Sequence, residues 1–295
     1  MKIAIVGSNS FLANEIVNST LFANHHFVLY GINNQNPSTD FIFFKYPEAP
    51  LDFESLLQAD VIIYCAGAGI QSNLNEDVEL IYELNSFLPI RMFNYLNSKR
   101  YEGKVITFGS YFEIGESKDS TPVSENGILE SQQRVPNEYC ISKRVFSRFN
   151  SSKSFTFKNY QLFLPTIYSK NENPFRLIPY VVERVKNNQE MEFTEGSQIR
   201  QYLHTDDLVR FLGNLIDNNS LESGFYNMAP DESYSVKDVV KLIFLELNKP
   251  FIESYFGRKS GRDESMKILC MDNSKMKSTG FIPEVDLVSG IRKYL

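Results

Sequence analysis

Cysteine is scarce: Cys65, Cys140 and Cys270 are the three present in 295 residues. Their odd number and wide spacing exclude a disulfide framework and a structural zinc site, so they read as reduced core thiols and no metal site is expected. Long apolar runs are lacking too. The N-terminal run turns polar at Ser8, too short for a secretory signal, and no later run reaches the ~18 apolar residues of a membrane span. A cytoplasmic chain without a membrane partner is therefore expected. An excess of positive charge is also missing, because 30 Lys and Arg stand against 36 Asp and Glu for a net charge of -6. A phosphate backbone would be repelled overall, which argues against nucleic acid as a partner and leaves only a local anion site open.

What is present is ordinary globular material. Hydrophobic residues make up 42% and charged residues 22%, which places the chain outside the composition of disordered proteins. Short apolar runs at Lys2 to Gly7, Phe27 to Tyr30, Val61 to Cys65, Lys104 to Phe108 and Tyr160 to Leu164 are bounded by polar, Gly or Pro residues. Longer helical patterns lie between several of them, notably Val78 to Leu96 and Tyr139 to Phe149. Buried strands alternating with helices predict a Rossmann-type α/β fold with a doubly wound parallel sheet. After Pro165 the rhythm changes to a helix at Leu177 to Val185, short strands near Glu192 and Gln201, and helices at Asp206 to Ile216 and Val236 to Leu247. We therefore expect a dinucleotide-binding domain over 1–165 and a smaller C-terminal α/β substrate lobe over 166–295, with some chain crossing and a shared cleft.

Ligands of open parallel sheets sit beyond the carboxyl ends of the strands, where Gly7, Ala66 to Gly69 and Gly109 to Tyr111 would fall. Gly7 ends the first strand and opens a helix, whose first N–H groups can hold a pyrophosphate. A full fingerprint would be Gly-x-x-Gly-x-x-Gly; the chain offers Gly7, Ser10 and Ala13. The turn suits a dinucleotide and equally an ordinary α/β connection. Ala66-Gly67-Ala68-Gly69 gives small residues against which the adenosine side could lie.

A phenol with a pKa of about 10 becomes a usable proton donor when a cation sits one helical turn away. With 16 tyrosines, roughly one Tyr-x-x-x-Lys spacing arises by chance, and three occur: Tyr95/Lys99, Tyr139/Lys143 and Tyr255/Lys259. Context selects Tyr139 and Lys143, whose helix follows a strand ending in Ser110, a second hydroxyl able to meet the same oxygen.

With these residues in view, the chain resembles, over nearly its whole length, the extended short-chain dehydrogenase/reductases of the nucleotide-sugar epimerase, dehydratase and ketoreductase group. The matching segments are Ile5 to Ala13 at the first turn, Asn85, Phe108 to Gly115 around Ser110, Asn137 to Lys143, and Leu164-Pro165-Thr166-Ile167-Tyr168. Gly196 to Asp207, Gly224 to Asn227, and Arg262 ahead of Asp272 to Lys275 match substrate-lobe signatures.

The resemblance implies catalytic Tyr139, Lys143 and Ser110. It implies cofactor contacts from Gly7, Ser10, Phe11, Leu12, Asn33, Ala66, Gly67, Ala68, Asn85, Tyr139, Lys143, Pro165 and Ile167. Substrate contacts would come from Ser110, Tyr111, Arg200 and Arg262, the two arginines as pyrophosphate clamps. His204 reads as a packed strand residue, and Asp206-Asp207 as a cap for the next helix. A homodimer built on the Val78 to Leu96 and Tyr139 to Phe149 helices is implied by analogy.

The second strand ends Tyr30-Gly31-Ile32-Asn33-Asn34, without the acid that usually holds the NAD ribose. The expected cofactor therefore leans to NADP(H) over NAD(H), and the reaction to reduction of a C4 ketone on a nucleotide-linked deoxysugar. Glu113 and Glu116 stand at an offset different from the acidic pair of the family's dehydratases, so that role is not transferred. The alternatives are a 4-epimerase with tightly bound NAD and, from another class, a non-catalytic Rossmann redox sensor or scaffold.

Overall fold

A computed structural model describes residues 1–70, 76–260 and 265–295. Its strands in chain order are Lys2–Val6 (β1), His26–Gly31 (β2), Asp40–Phe43 (β3), Val61–Tyr64 (β4), Lys104–Ser110 (β5), Lys158–Leu164 (β6), Thr166–Tyr168 (β7), Ile199–Arg200 (β8), Tyr202–His204 (β9), Gly224–Asn227 (β10), Tyr234–Ser235 (β11) and Ile268–Leu269 (β12). The central sheet has seven strands in the order β10-β6-β5-β4-β1-β2-β3. Strands β3, β2, β1, β4 and β5 run parallel, with Ile3 beside both Phe27 and Val61. Sequential strands lie on opposite sides of β1, which makes the β1/β4 boundary the switch point of a Rossmann-type sheet. The fully buried β1 residues Ile3 to Val6 explain why that strand reads as an unbroken apolar run.

The chain divides into two compact units. The first comprises Met1–Glu113, Asn137–Phe163 and Val209–Tyr226; the second comprises Ile114–Pro136, Leu164–Leu208 and Asn227–Leu295. Against the expected boundary at 165, the chain thus passes between units at five places. The first unit's core packs Ala4, Val6, Tyr30, Ile62, Val105 and Phe93. Phe93 meets Phe146, Phe155 and Phe157 edge-on at centroid distances of 5.2, 5.1 and 5.2 Å, the arrangement aromatic quadrupoles favour. At the start of β5 the buried Lys104 ammonium donates to the carbonyls of Leu215 and Ile216 at 2.8 and 2.5 Å, satisfying the end of helix Thr205–Asp217.

The second unit has its own core around Tyr168, Val181, Val239 and Ile243. It carries the small sheets β7-β9 and β11-β8-β12. No strand forms at Glu192, contrary to expectation: Phe193 instead gives its N–H to Tyr255 O at 2.9 Å and its carbonyl to Arg258 N at 3.0 Å, which is tertiary tethering without a ladder. No helix among the described residues is long and apolar enough to cross a membrane.

Candidate active site

The first turn is shaped by one glycine. Gly7 sits at φ +84°, where a side chain is strained, and a Cβ there would collide with the backbone of Ala66. The turns after β1 and β4 therefore approach closely at the switch point. Ser10 caps the following helix, Phe11–Val17, accepting from Ala13 N at 3.2 Å, so serine in place of the second glycine supplies a cap. Phe11 is half-buried and Leu12 buried. Ser8 Oγ is buried and has no hydrogen-bond partner, an orphan that a bound ligand's polar atom would satisfy.

The loop after β4 is held from above by Asn85. Its Oδ1 accepts from Ala68 N at 3.1 Å while Nδ2 donates to Ala68 O at 2.8 Å and to Ser142 Oγ at 3.0 Å. Ser142 in turn donates to Tyr139 O at 2.9 Å. One buried side chain thus ties the Ala66–Gly67–Ala68 loop to the Tyr139 helix. Asn85 lies on a single π turn, Glu83–Phe87, that interrupts the helix expected over Val78 to Leu96; such turns recur at functional sites.

Beyond β2, Asn9 holds the loop by its backbone. Its Oδ1 accepts from Ile32 N and Asn33 N at 2.7 and 3.1 Å, and its Nδ2 donates to Asn33 O at 2.8 Å. A Cβ on Gly31 would collide with both Ser8 Oγ and Asn9 Oδ1, so a side chain there requires both of these to move. Sequence reasoning missed Asn9; the signal was an Asn in a turn, a residue type that binds nearby backbone, but its target lies 24 residues away.

The catalytic candidates come from two elements. Asn137 caps helix Glu138–Ser151 by accepting from Cys140 N at 3.1 Å, which starts the helix at Tyr139's turn. Lys143 Nζ donates to Phe108 O on β5 at 3.0 Å and lies 5.9 Å from the Tyr139 ring centroid. Burial pushes the Lys143 ammonium below its ordinary range, while the Glu113 carboxylate pulls it back up. The Cys65 thiol is pushed up to about 12 by burial, so it stays neutral. Ser110 is buried at the end of β5, where its Oγ accepts from Phe112 N at 3.2 Å; Phe112 meets the Tyr139 ring edge-on at 6.3 Å. Tyr111 is buried with its ring 4.8 Å from Phe112.

Gly7, Ser10, Phe11, Leu12, Asn33, Ala66, Gly67, Ala68, Asn85, Ser110, Tyr111, Tyr139 and Lys143 therefore all belong to the first unit. Pro165, Ile167 and Arg200 belong to the second. There Ile167 pairs with Leu203 in the β7/β9 ladder, and Arg200 is buried with its guanidinium on the carbonyls of Ile199 and Lys267 at 2.8 and 3.4 Å. Arg262 lies outside the described residues. His204 is buried edge-on to Tyr168 at 5.1 Å, and its Nδ1 accepts from Asp206 N at 3.1 Å. Asp206 and Asp207 stand within the first turn of helix Thr205–Asp217 rather than ahead of it, and Asp207 accepts from Glu284 N and Val285 N, both at 2.9 Å.

Residues 3–229 match the model of the NAD dependent epimerase/dehydratase family. A CDP-abequose synthase of Salmonella muenchen is 21% identical over 304 residues, covering 100% of this chain and 97% of its own length. A GDP-L-colitose synthase of Yersinia pseudotuberculosis is 23% identical over 310 residues, with coverages of 99% and 96%. Among solved structures, a Thermus thermophilus UDP-glucose 4-epimerase in complex with NAD superposes with a TM-score of 0.82 at 16% identity, covering 100% of this chain and 99% of the other.

Proposed function

Because the chain belongs to the NAD dependent epimerase/dehydratase family, we propose that this enzyme reduces the C4 ketone of a nucleotide-linked deoxysugar with a nicotinamide cofactor. The carrying observation is the Lys143 ammonium, bonded to the β5 carbonyl of Phe108 and 5.9 Å from the Tyr139 ring, beside a strand that ends in Ser110. Two relatives named for making nucleotide-linked products, CDP-abequose and GDP-L-colitose, support the substrate class.

The residues fit a dinucleotide: the turn at Gly7 is tight, Ser8 Oγ is an orphan and Asn85 holds the opposing loop. A nicotinamide bound there supplies the hydride. The chain's own part is to manage charge on the ketone oxygen. Tyr139 donates the proton, Ser110 gives a second hydrogen bond to that oxygen, and Lys143 lowers the phenol's pKa while holding the cofactor ribose. Phe11, Leu12, Asn33, Pro165 and Ile167 would line the cofactor, and Tyr111, Arg200 and Arg262 the nucleotide sugar.

NADP(H) is favoured over NAD(H) by the end of β2, Tyr30 to Asn34, which carries no acid to repel the 2′-phosphate. A homodimer through the flanking helices is supported by the exposed apolar side chains of Val78, Phe87, Ile141 and Val145; sedimentation at micromolar concentration tests it. The structural likeness to an NAD-bound 4-epimerase favours one second reading, C4 epimerisation with cofactor recycling. Incubation with nucleotide 4-keto sugars and NADPH or NADH separates them. Stoichiometric loss of reduced cofactor absorbance is expected; epimer formation without net loss would replace the reductase, and binding without turnover would remove both.

A further inference from the structure

One buried carboxylate beside these residues is unused by the reaction as described. Glu113 is 1% exposed, three residues beyond Ser110. Its Oε1 accepts the Ser110 N–H at 2.8 Å, the Ser147 hydroxyl donates to the same carboxylate, and its main-chain oxygen takes Arg144 Nε at 2.7 Å. Ser110 ends β5, whereas Arg144 and Ser147 stand on the Tyr139 helix. Glu113 therefore bridges the two elements that carry the catalytic candidates.

The hydrogen bonds behind Ser147 have a direction. Asn159 Nδ2 donates to Asn150 Oδ1, Asn150 Nδ2 to Gln161 Oε1 at 2.7 Å, and Gln161 Nε2 to Ser147 Oγ at 2.6 Å. All four side chains are at least nine-tenths buried. Each member turns its donor toward the next, and the last acceptor is Glu113. A row of dipoles aligned this way in a low-dielectric interior stabilises an anion at its end.

We propose that Glu113 is a positioning residue of this active site, whose buried carboxylate fixes the strand end at Ser110 and supplies the counter-charge of the Lys143 ammonium, setting the pH above which Tyr139 and Lys143 stop delivering a proton. The inference rests on the reductase reading. Burial raises the Glu113 carboxyl to about 7, against the pull of Ser147, the Ser110 amide, Lys143 and Arg144. The charged and titratable groups around it are Lys143 and Arg144 on the helix, Arg148 beyond Arg144, Cys140 beside Arg144, and Cys65 from the loop after β4. The thiol of Cys65 is neutral, so Glu113 is the anion among those acting on Lys143. Removing that anion lowers the proton affinity of Lys143, which loses a negative neighbour, so the ammonium that supports Tyr139 is lost at lower pH.

Glu113→Gln keeps the shape and an acceptor for Ser110 N–H while removing the charge. In kcat against pH with a nucleotide 4-keto sugar, its basic limb should move down by about one pH unit with KM changed less than about two-fold. A limb at the wild-type position, with only a lower plateau or lower melting temperature, would reduce Glu113 to a structural staple and overturn the proposal. A readout without turnover keeps it separate from the reductase reading. The ¹³C carboxyl resonance of Glu113 should titrate near 7 in the wild type and higher in Lys143→Met; an unmoved midpoint overturns the coupling even if no sugar is ever turned over.

Discussion

In each of the two units burial raises one glutamate carboxyl, Glu113 in the first and Glu172 in the second, from 4.5 to about 7. Their partners differ. Glu113 is met by a backbone N–H, a serine at the end of a polar chain, and the cations of the Tyr139 helix. Glu172 is met by Arg176 at 3.0 Å, four residues on, and by the hydroxyl of Tyr294 at the chain's end, whose carbonyl takes Lys186 Nζ at 3.1 Å. A shifted pKa alone would rank the two equally as functional candidates. The partners separate them: one reaches the proposed proton-transfer residues, the other fastens the C-terminal segment.

The largest effect that could break this contrast is on turnover in the first unit. Tyr139→Phe should lower kcat by about 10³-fold or more while nucleotide binding, followed by fluorescence of the reduced cofactor, stays nearly intact; unchanged activity would remove the catalytic assignment. Lys143→Ala should weaken both turnover and cofactor binding, because one ammonium serves phenol and ribose. In the second unit, Tyr294→Phe takes a hydrogen bond from a buried carboxylate and should destabilise by about 1 to 3 kcal/mol in urea melts, with the pH–kcat curve superimposable on the wild type. A displaced basic limb in that variant would erase the distinction between the units.

The smallest effect is on stability against pH. Both folded-state values lie above the ordinary 4.5, so the folded protein holds protons that the unfolded chain has released, and each site's contribution is lost as pH rises from about 4.5 to about 7. The slope per site is at most about 1.4 kcal/mol per pH unit and is zero above the window. Glu172→Gln should flatten one of the two contributions in thermal melts between pH 5 and 7; an unchanged slope would mean that Glu172 does not titrate there.

The sheet was legible because its strands are buried on both faces and read as apolar runs ended by Gly or Pro. The second unit was harder: its strands are two or three residues long, and Glu192 sits in a segment whose backbone bonds go to Tyr255 and Arg258 rather than to a strand. Strand β3, Asp40–Phe43, was missed for a related reason, since this edge strand is four residues long and only partly buried. Within the site, Tyr139, Lys143 and Ser110 stood at spacings that sequence can reveal, and Asn85 came through the family resemblance. Asn9 and Glu113 did not, because their meaning comes from partners brought together by folding: the loop after β2 for one, and Ser147 with its amide chain for the other. The π turn was equally hidden, as one extra residue in a helix leaves the apolar pattern of Val78 to Leu96 nearly unchanged.

The tight space at Gly31 couples that position to Asn9. An aspartate there would first have to evict Asn9 Oδ1, whose two accepted amides hold Ile32 and Asn33 in place. Replacing Asn9 first would free that loop before any acid was there to hold a ribose. Either change disturbs the same loop, so the effects of substitutions at Gly31 and Asn9 should depend on one another.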